Sequence, residues 1–153
     1  MAQAAICLVL LFSLFLIYVL FGTLVIFFTG AEIDQEASLR LNFNNIYIVN
    51  NSMPFAFALY SKKILVSSGL RNLLNRQELQ SIVARELFNI SQHKTGVILA
   101  FDLTSWKREF AADTYAAQVT GDPDTLITAI TKIGRVSSIF PPVEDRIRLL
   151  RAM

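Results

Sequence analysis

Apolar and polar positions divide the chain sharply. Residues 1–31 carry no charged side chain, and AICLVLLFSLFLIYVLFGTLVIFF is an almost unbroken apolar run. Crossing a bilayer takes about 20 such residues, so the pattern predicts a single-pass transmembrane anchor over 1–31. A secretory signal needs a basic leading segment, a shorter apolar core and a small-residue cleavage site. The leading residues here contain no Lys or Arg, which favours a retained anchor. Residues 32–44 are mixed and polar and read as a juxtamembrane linker. Three short β-rich runs follow, NIYIVN (45–50), FAFALY (55–60) and KILVSS (63–68), separated by the turn-forming NSMP and SKK. Their spacing predicts an antiparallel meander.

Helical periodicity then takes over. Asn75, with Glu78 three residues on and an apolar-periodic run behind it, has the form of a capping box and predicts a helix over about 76–94. A second helix is expected from about Ser105 to Val119. A third opens at Asp122-Pro123, a capping residue followed by proline at the first helical position, and keeps Leu126, Ile127, Ile130 and Ile133 at helical spacing. After Phe140-Pro141-Pro142 comes a last amphipathic helix, VEDRIRLLRAM. TGVILAFDL (95–103) is apolar but too short to span a bilayer. Its VILAF patch reads either as a contact for the bilayer surface or a partner, or as a loop tucked onto the core. The expected fold class is α+β: a transmembrane helix, then one small domain over 45–153 made of a meander and about four helices.

Composition changes this picture little. Hydrophobic residues make up 54% of the chain and the mean hydropathy is +0.48, which the first 31 residues account for. The net charge of +2 comes from acids and bases spread without a block, which excludes a nucleic-acid footprint. Cys7 is the only cysteine, so neither an intramolecular disulfide nor a cysteine metal site is available. Arg40 is the only base near the apolar run, and the side of the membrane that the domain faces stays unassigned.

Candidate chemistry lies in the carboxylates. On a helical wheel Leu79, Ile82, Val83 and Ile90 form the apolar stripe of the first helix after the strands, and Glu86 falls in its middle. Asn89 lies at the stripe's edge, and Arg85 is swung further around. On the next helix Glu109 and Asp113 are i,i+4 neighbours on the face of Phe110 and Ala117. Glutamate is rarely buried without a partner. Three inward acids on consecutive helices therefore mark either a site or a structural ion-pair cluster fed by Arg85, Lys107 or Arg108.

The order of these pieces resembles the membrane zinc metallopeptidases of the HtpX and CAAX prenyl protease type, which are gluzincins. The resemblance covers roughly 45–153. It rests on Pro54-Phe55-Ala56-Phe57-Ala58 and Val66-Ser67-Ser68-Gly69-Leu70, on the helix from Glu78 to Asn89, on Glu109 to Asp113 with Thr120-Gly121-Asp122-Pro123, and on Pro141 to Ile147. In the family pattern H-E-x-x-H, two histidines and a downstream glutamate hold zinc and the first glutamate is the general base. The resemblance places Arg85 and Asn89 at the lost histidines, Glu86 at the relic general base, Glu109 at the third ligand and Asp113 at the group that orients it. Pro141 stands where a supporting histidine is expected, and Phe55 where an asparagine is.

Guanidinium and amide side chains do not hold zinc, and a permanent cation disfavours a dication beside it. The resemblance therefore implies a domain with no metal or other cofactor, in which Arg85 or a nearby cation takes zinc's electrostatic place beside Glu86 and Glu109. His93, the only histidine, lies roughly 10 Å along the helix from Glu86 at 1.5 Å per residue, a poor spacing for a displaced zinc site. The function implied is a catalytically inactive, membrane-anchored binding module or accessory subunit of a larger integral-membrane complex. Its partners would be membrane-protein subunits or segments and the bilayer. The edge strand Phe55-Ala56-Phe57-Ala58 beside the relic cleft would hold an extended peptide. The alternative is an active membrane metalloendopeptidase with a non-standard zinc site built from Glu86, Glu109, Asp113 and His93.

Overall fold

A computed structural model gives the architecture and describes residues 2–35, 38, 43–59, 62–92, 106–137 and 142–153. The chain is α+β, with helices packed against one small mixed sheet. Helix α1 (Ala2–Thr29) leads into β1 (Glu32–Ile33), so the stretch expected as linker contributes a strand. Then come β2 (Ile46–Val49), β3 (Ala56–Leu59), β4 (Lys63–Ser67), α2 (Ser68–Leu73), α3 (Arg76–Gln92), α4 (Trp106–Thr120), α5 (Pro123–Val136) and α6 (Val143–Arg151). His93, Pro141 and the VILAF patch lie outside the described residues.

The single-pass membrane anchor expected for 1–31 is corrected. Among the described residues no helix is long and apolar enough to cross a membrane. The Lys63 ammonium donates to Thr23 Oγ1 at 2.9 Å, which ties the end of α1 to the sheet and sets a cation against it. The membrane localisation and the single-pass topology that followed from the anchor are withdrawn with it.

The antiparallel meander is corrected as well. The strand order is β1-β2-β4-β3, and β2 pairs with β4 in parallel while β1–β2 and β3–β4 are antiparallel. The reason lies in the NSMP connection. Instead of turning tightly, it crosses the end of β4 and is fastened there by three successive residues. Phe55 N–H donates to Ser67 Oγ at 3.0 Å, Asn51 N–H to Ser68 Oγ at 3.1 Å, and Gly69 N–H to Asn51 O at 2.8 Å. A Cβ on Gly69 would lie 2.1 Å from Ser52 O, so only glycine lets the two backbones approach this closely. With β3 carried to the far side, β4 becomes a central strand, and its Ile64, Leu65 and Val66 are all buried.

Helix boundaries follow local chemistry. Ser67 caps α2 by accepting from Leu70 N–H at 3.0 Å. At the start of α3, Glu78 N–H donates to Asn75 Oδ1 (2.9 Å) and Asn75 N–H donates to Glu78 Oε2 (2.8 Å), a reciprocal capping box. Asp122 caps α5 through Thr125 N–H at 2.9 Å, with Pro123 behind it. The core joins Ile46, Ile64 and Val66 of the sheet to Ile82 and Val83 of α3 and Leu126 and Ile130 of α5. On α4 the buried positions are Ala112, Asp113, Ala116 and Ala117, small residues that let α3 and α4 pack closely around one acid.

Candidate functional site

The acid that α4 buries is the centre of the site. Asp113 is fully buried and holds two guanidiniums. Arg146 of α6 donates from Nε to Oδ2 at 2.7 Å and from Nη2 to Oδ1 at 2.6 Å, a bidentate pair, while Arg85 of α3 donates from Nε to Oδ1 at 2.7 Å. Arg85 also donates from Nη2 to Glu109 Oε2, one turn before Asp113 on α4. Its third nitrogen, Nη1, lies 3.7 Å from Glu86 Oε1. Arg85 thus stands among all three acids singled out in the sequence.

Glu86 is buried on the sheet side of α3. Its Oε2 accepts from Ala58 N–H and from the Asn89 amide, each at 3.1 Å. The Asn89 Oδ1 in turn accepts from Arg108 Nε at 3.2 Å. Burial raises the Glu86 pKa above the usual glutamate value, and the Arg85 charge and the Asn89 hydrogen bond offset this only in part. For Arg85, burial alone works against the charge, but the fields of Asp113, Glu86 and Glu109 outweigh it and hold the guanidinium above its ordinary pKa. Arg85 is therefore a permanent cation.

Strand β3 forms the rim. It ends the sheet, and among the described residues it is bonded to β4 alone. Phe55 O accepts from Ser67 N–H, and antiparallel main-chain groups alternate, so Ala56 and Ala58 turn theirs to the free edge. The Ala58 N–H bond to Glu86 has this outward direction. A cleft of about 340 Å³ lies against that edge, walled by Ala56, Phe57, Ala58, Glu86, Asn89 and Arg108 and reaching Arg85 and Glu109. The Phe55 and Phe57 rings stack, centroids 5.0 Å apart, and Phe57 is more than half exposed.

The structure brings Arg85, Glu86, Asn89, Glu109, Asp113 and the strand Phe55–Ala58 into one place. Sequence reasoning gave no role to Arg146, although a signal was present. With Val143 and Leu150 it occupies i, i+3 and i+7 positions, a cation on the apolar stripe of α6. The main-chain contact of Glu86 with Ala58 had no such signal, because it depends on where β3 runs.

As a metal centre the donor set does not fit. Asp113 is engaged on both oxygens and Glu109 on Oε2, both by guanidinium donors, and Glu86 Oε2 already has two donors. Zinc requires about four open lone pairs at close to 2 Å. Among the described residues no three His, Cys, Asp or Glu side chains are disposed to hold an ion. No protein-family model matches the chain.

Proposed function

We propose that this domain is a metallopeptidase-like fold that does not cut. It holds an extended segment of another protein along the free edge of β3, as a binding module or accessory subunit. The observation that carries the reading is the guanidinium of Arg85, shared among Glu86, Glu109 and Asp113. A cation held above its ordinary pKa in the place a dication needs supplies the cluster's charge balance itself. The order of the motifs around it, from the Pro54–Ala58 strand to the Glu109–Asp113 helix, supports descent from a zinc peptidase of the HtpX type. The cleft under a free strand edge supports retention of peptide binding. An added strand gains affinity from main-chain hydrogen bonds and specificity from pockets for alternate side chains.

The test is metal analysis of the purified chain together with casein cleavage, with and without a chelator. The expected result is no bound zinc and no chelator-sensitive cleavage. Cleavage that chelator and Glu86→Gln both abolish would replace the binding module with an active metalloendopeptidase.

A further inference from the structure

Strand β3 turns four main-chain groups to its free edge, the N–H and C=O of Ala56 and those of Ala58. Among the described residues three of these groups have no hydrogen-bond partner. The fourth, the Ala58 N–H, is already taken by Glu86 Oε2 at 3.1 Å. The carboxylate is held there from α3, where the Asn89 amide donates to the same oxygen at 3.1 Å and Arg85 Nη1 lies 3.7 Å from Oε1. Glu86 is 6% exposed, so water competes little for the bond to Ala58. A side chain of the neighbouring helix thus occupies one of the two donors that the edge offers to an added strand.

That occupancy conflicts with strand addition at one point. An incoming segment finds both groups of Ala56 open, and its N–H finds the Ala58 carbonyl. Its C=O, however, meets a carboxylate oxygen where it needs a donor, acceptor against acceptor. Pairing along the whole of β3 therefore requires Glu86 to let go. We propose that Glu86 is an autoinhibitory latch on the free edge, closed on the Ala58 N–H until an incoming strand displaces it. This rests on the peptide-holding reading above and adds the regulation of that same site. Release is feasible because the Asn89 amide and the Arg85 guanidinium stay beside the carboxylate, so opening gives up the Ala58 bond without leaving a buried charge alone. The closed latch also blunts a bare sheet edge, on which two copies of the chain could otherwise pair.

Uncharged peptides isolate the latch from the charges around it. Octapeptides with both ends capped, randomised among Val, Thr, Ser and Tyr and carrying an uncharged BODIPY dye, are titrated with the full chain and followed by fluorescence anisotropy. The parent is compared with Glu86→Ala and Glu86→Gln. The alanine variant is expected to bind the pool about 10- to 100-fold more tightly than the parent, the range for one hydrogen bond to a charged group. Glutamine keeps the shape and a weaker, neutral bond, so its affinity is expected between the two, and it carries the test if the alanine variant does not fold. A pool N-methylated at every residue cannot approach the edge and is expected to bind none of the three. Variants within about twofold of the parent would overturn the latch and leave the peptide-holding function standing. An equal gain for the methylated pool would overturn it too, since that gain would not come from strand addition. No binding of the unmethylated pool by any of the three would overturn both.

Discussion

Arg85 decides the character of the site, and its energetics follow from burial. Removing one partner from a buried ion-pair cluster leaves uncompensated charge, at a cost of about 3–5 kcal/mol. Arg85→Ala would strand Glu109 and leave Asp113 with Arg146 alone, so a loss of that size is expected in urea denaturation. A loss below about 1 kcal/mol, the worth of an exposed pair, would show that solvent already screens the cluster. Glu86 provides a second test, through pH. Its folded pKa is raised above the ordinary 4.5, so from about pH 4.5 upward the folded state keeps a proton that the unfolded chain has released. Stability then falls as pH rises, until Glu86 ionises in the folded state as well. Glu86→Gln removes this group's contribution. The stability of the parent minus that of the variant, measured by urea denaturation at a series of pH values, is expected to decline as pH rises above 4.5. A difference that grows with pH would mean that Arg85, the Asn89 amide and the Ala58 N–H outweigh desolvation. Arg85 itself adds no pH dependence in the accessible range, because it stays charged in both states.

Among the elements, those defined by local chemistry were legible in the sequence, and those defined by partners were not. The capping pair Asn75 and Glu78 and the Asp122-Pro123 start each act within one turn, so the residues that fix a helix end lie side by side in the chain. Strand partnership has no such local mark. NIYIVN and KILVSS look alike as β-rich runs, and nothing in either says that they pair in parallel with β3 displaced to the edge. That outcome depends on Ser67, Ser68 and Gly69 gripping the connection before β3, and the two serines read only as the tail of a strand. Helix α2 went unseen for the same reason, being a single short run without periodicity of its own. The role given to Gly69 is testable. Gly69→Ala would press a Cβ into the main chain at Ser52, which has no rotamer to yield, and overpacking of this kind costs about 1–3 kcal/mol. Thermal unfolding is expected to show a lowered midpoint. An unchanged midpoint would mean that the crossing connection is free to move away, and that it does not hold β3 in place.

For the molecule as a whole, the cluster is a junction. Asp113 of α4 is bonded to α3 through Arg85 and to α6 through Arg146, and Glu86 carries the connection from α3 to β3. Two guanidiniums thus join three helices, and the Glu86 carboxylate ties them to a sheet edge, where, on the reading proposed here, an ancestral ion sat. This exchange is reversible in principle. Arg85→His combined with Asn89→His would place two imidazoles one turn apart on α3, facing Glu109 on α4, which is the ligand set zinc accepts in peptidases. Without metal the double variant is expected to be less stable than the parent, because Asp113 and Glu109 lose a cation. With zinc at 100 times its dissociation constant, mass action returns about 2.7 kcal/mol, and the thermal midpoint should climb with zinc concentration. The parent's midpoint should not respond, since its carboxylates are already engaged. A folded double variant that binds no zinc in equilibrium dialysis would mean that α3 and α4 are not spaced for a shared ion. The carboxylate cluster would then be a structural ion-pair junction with no peptidase ancestry behind it.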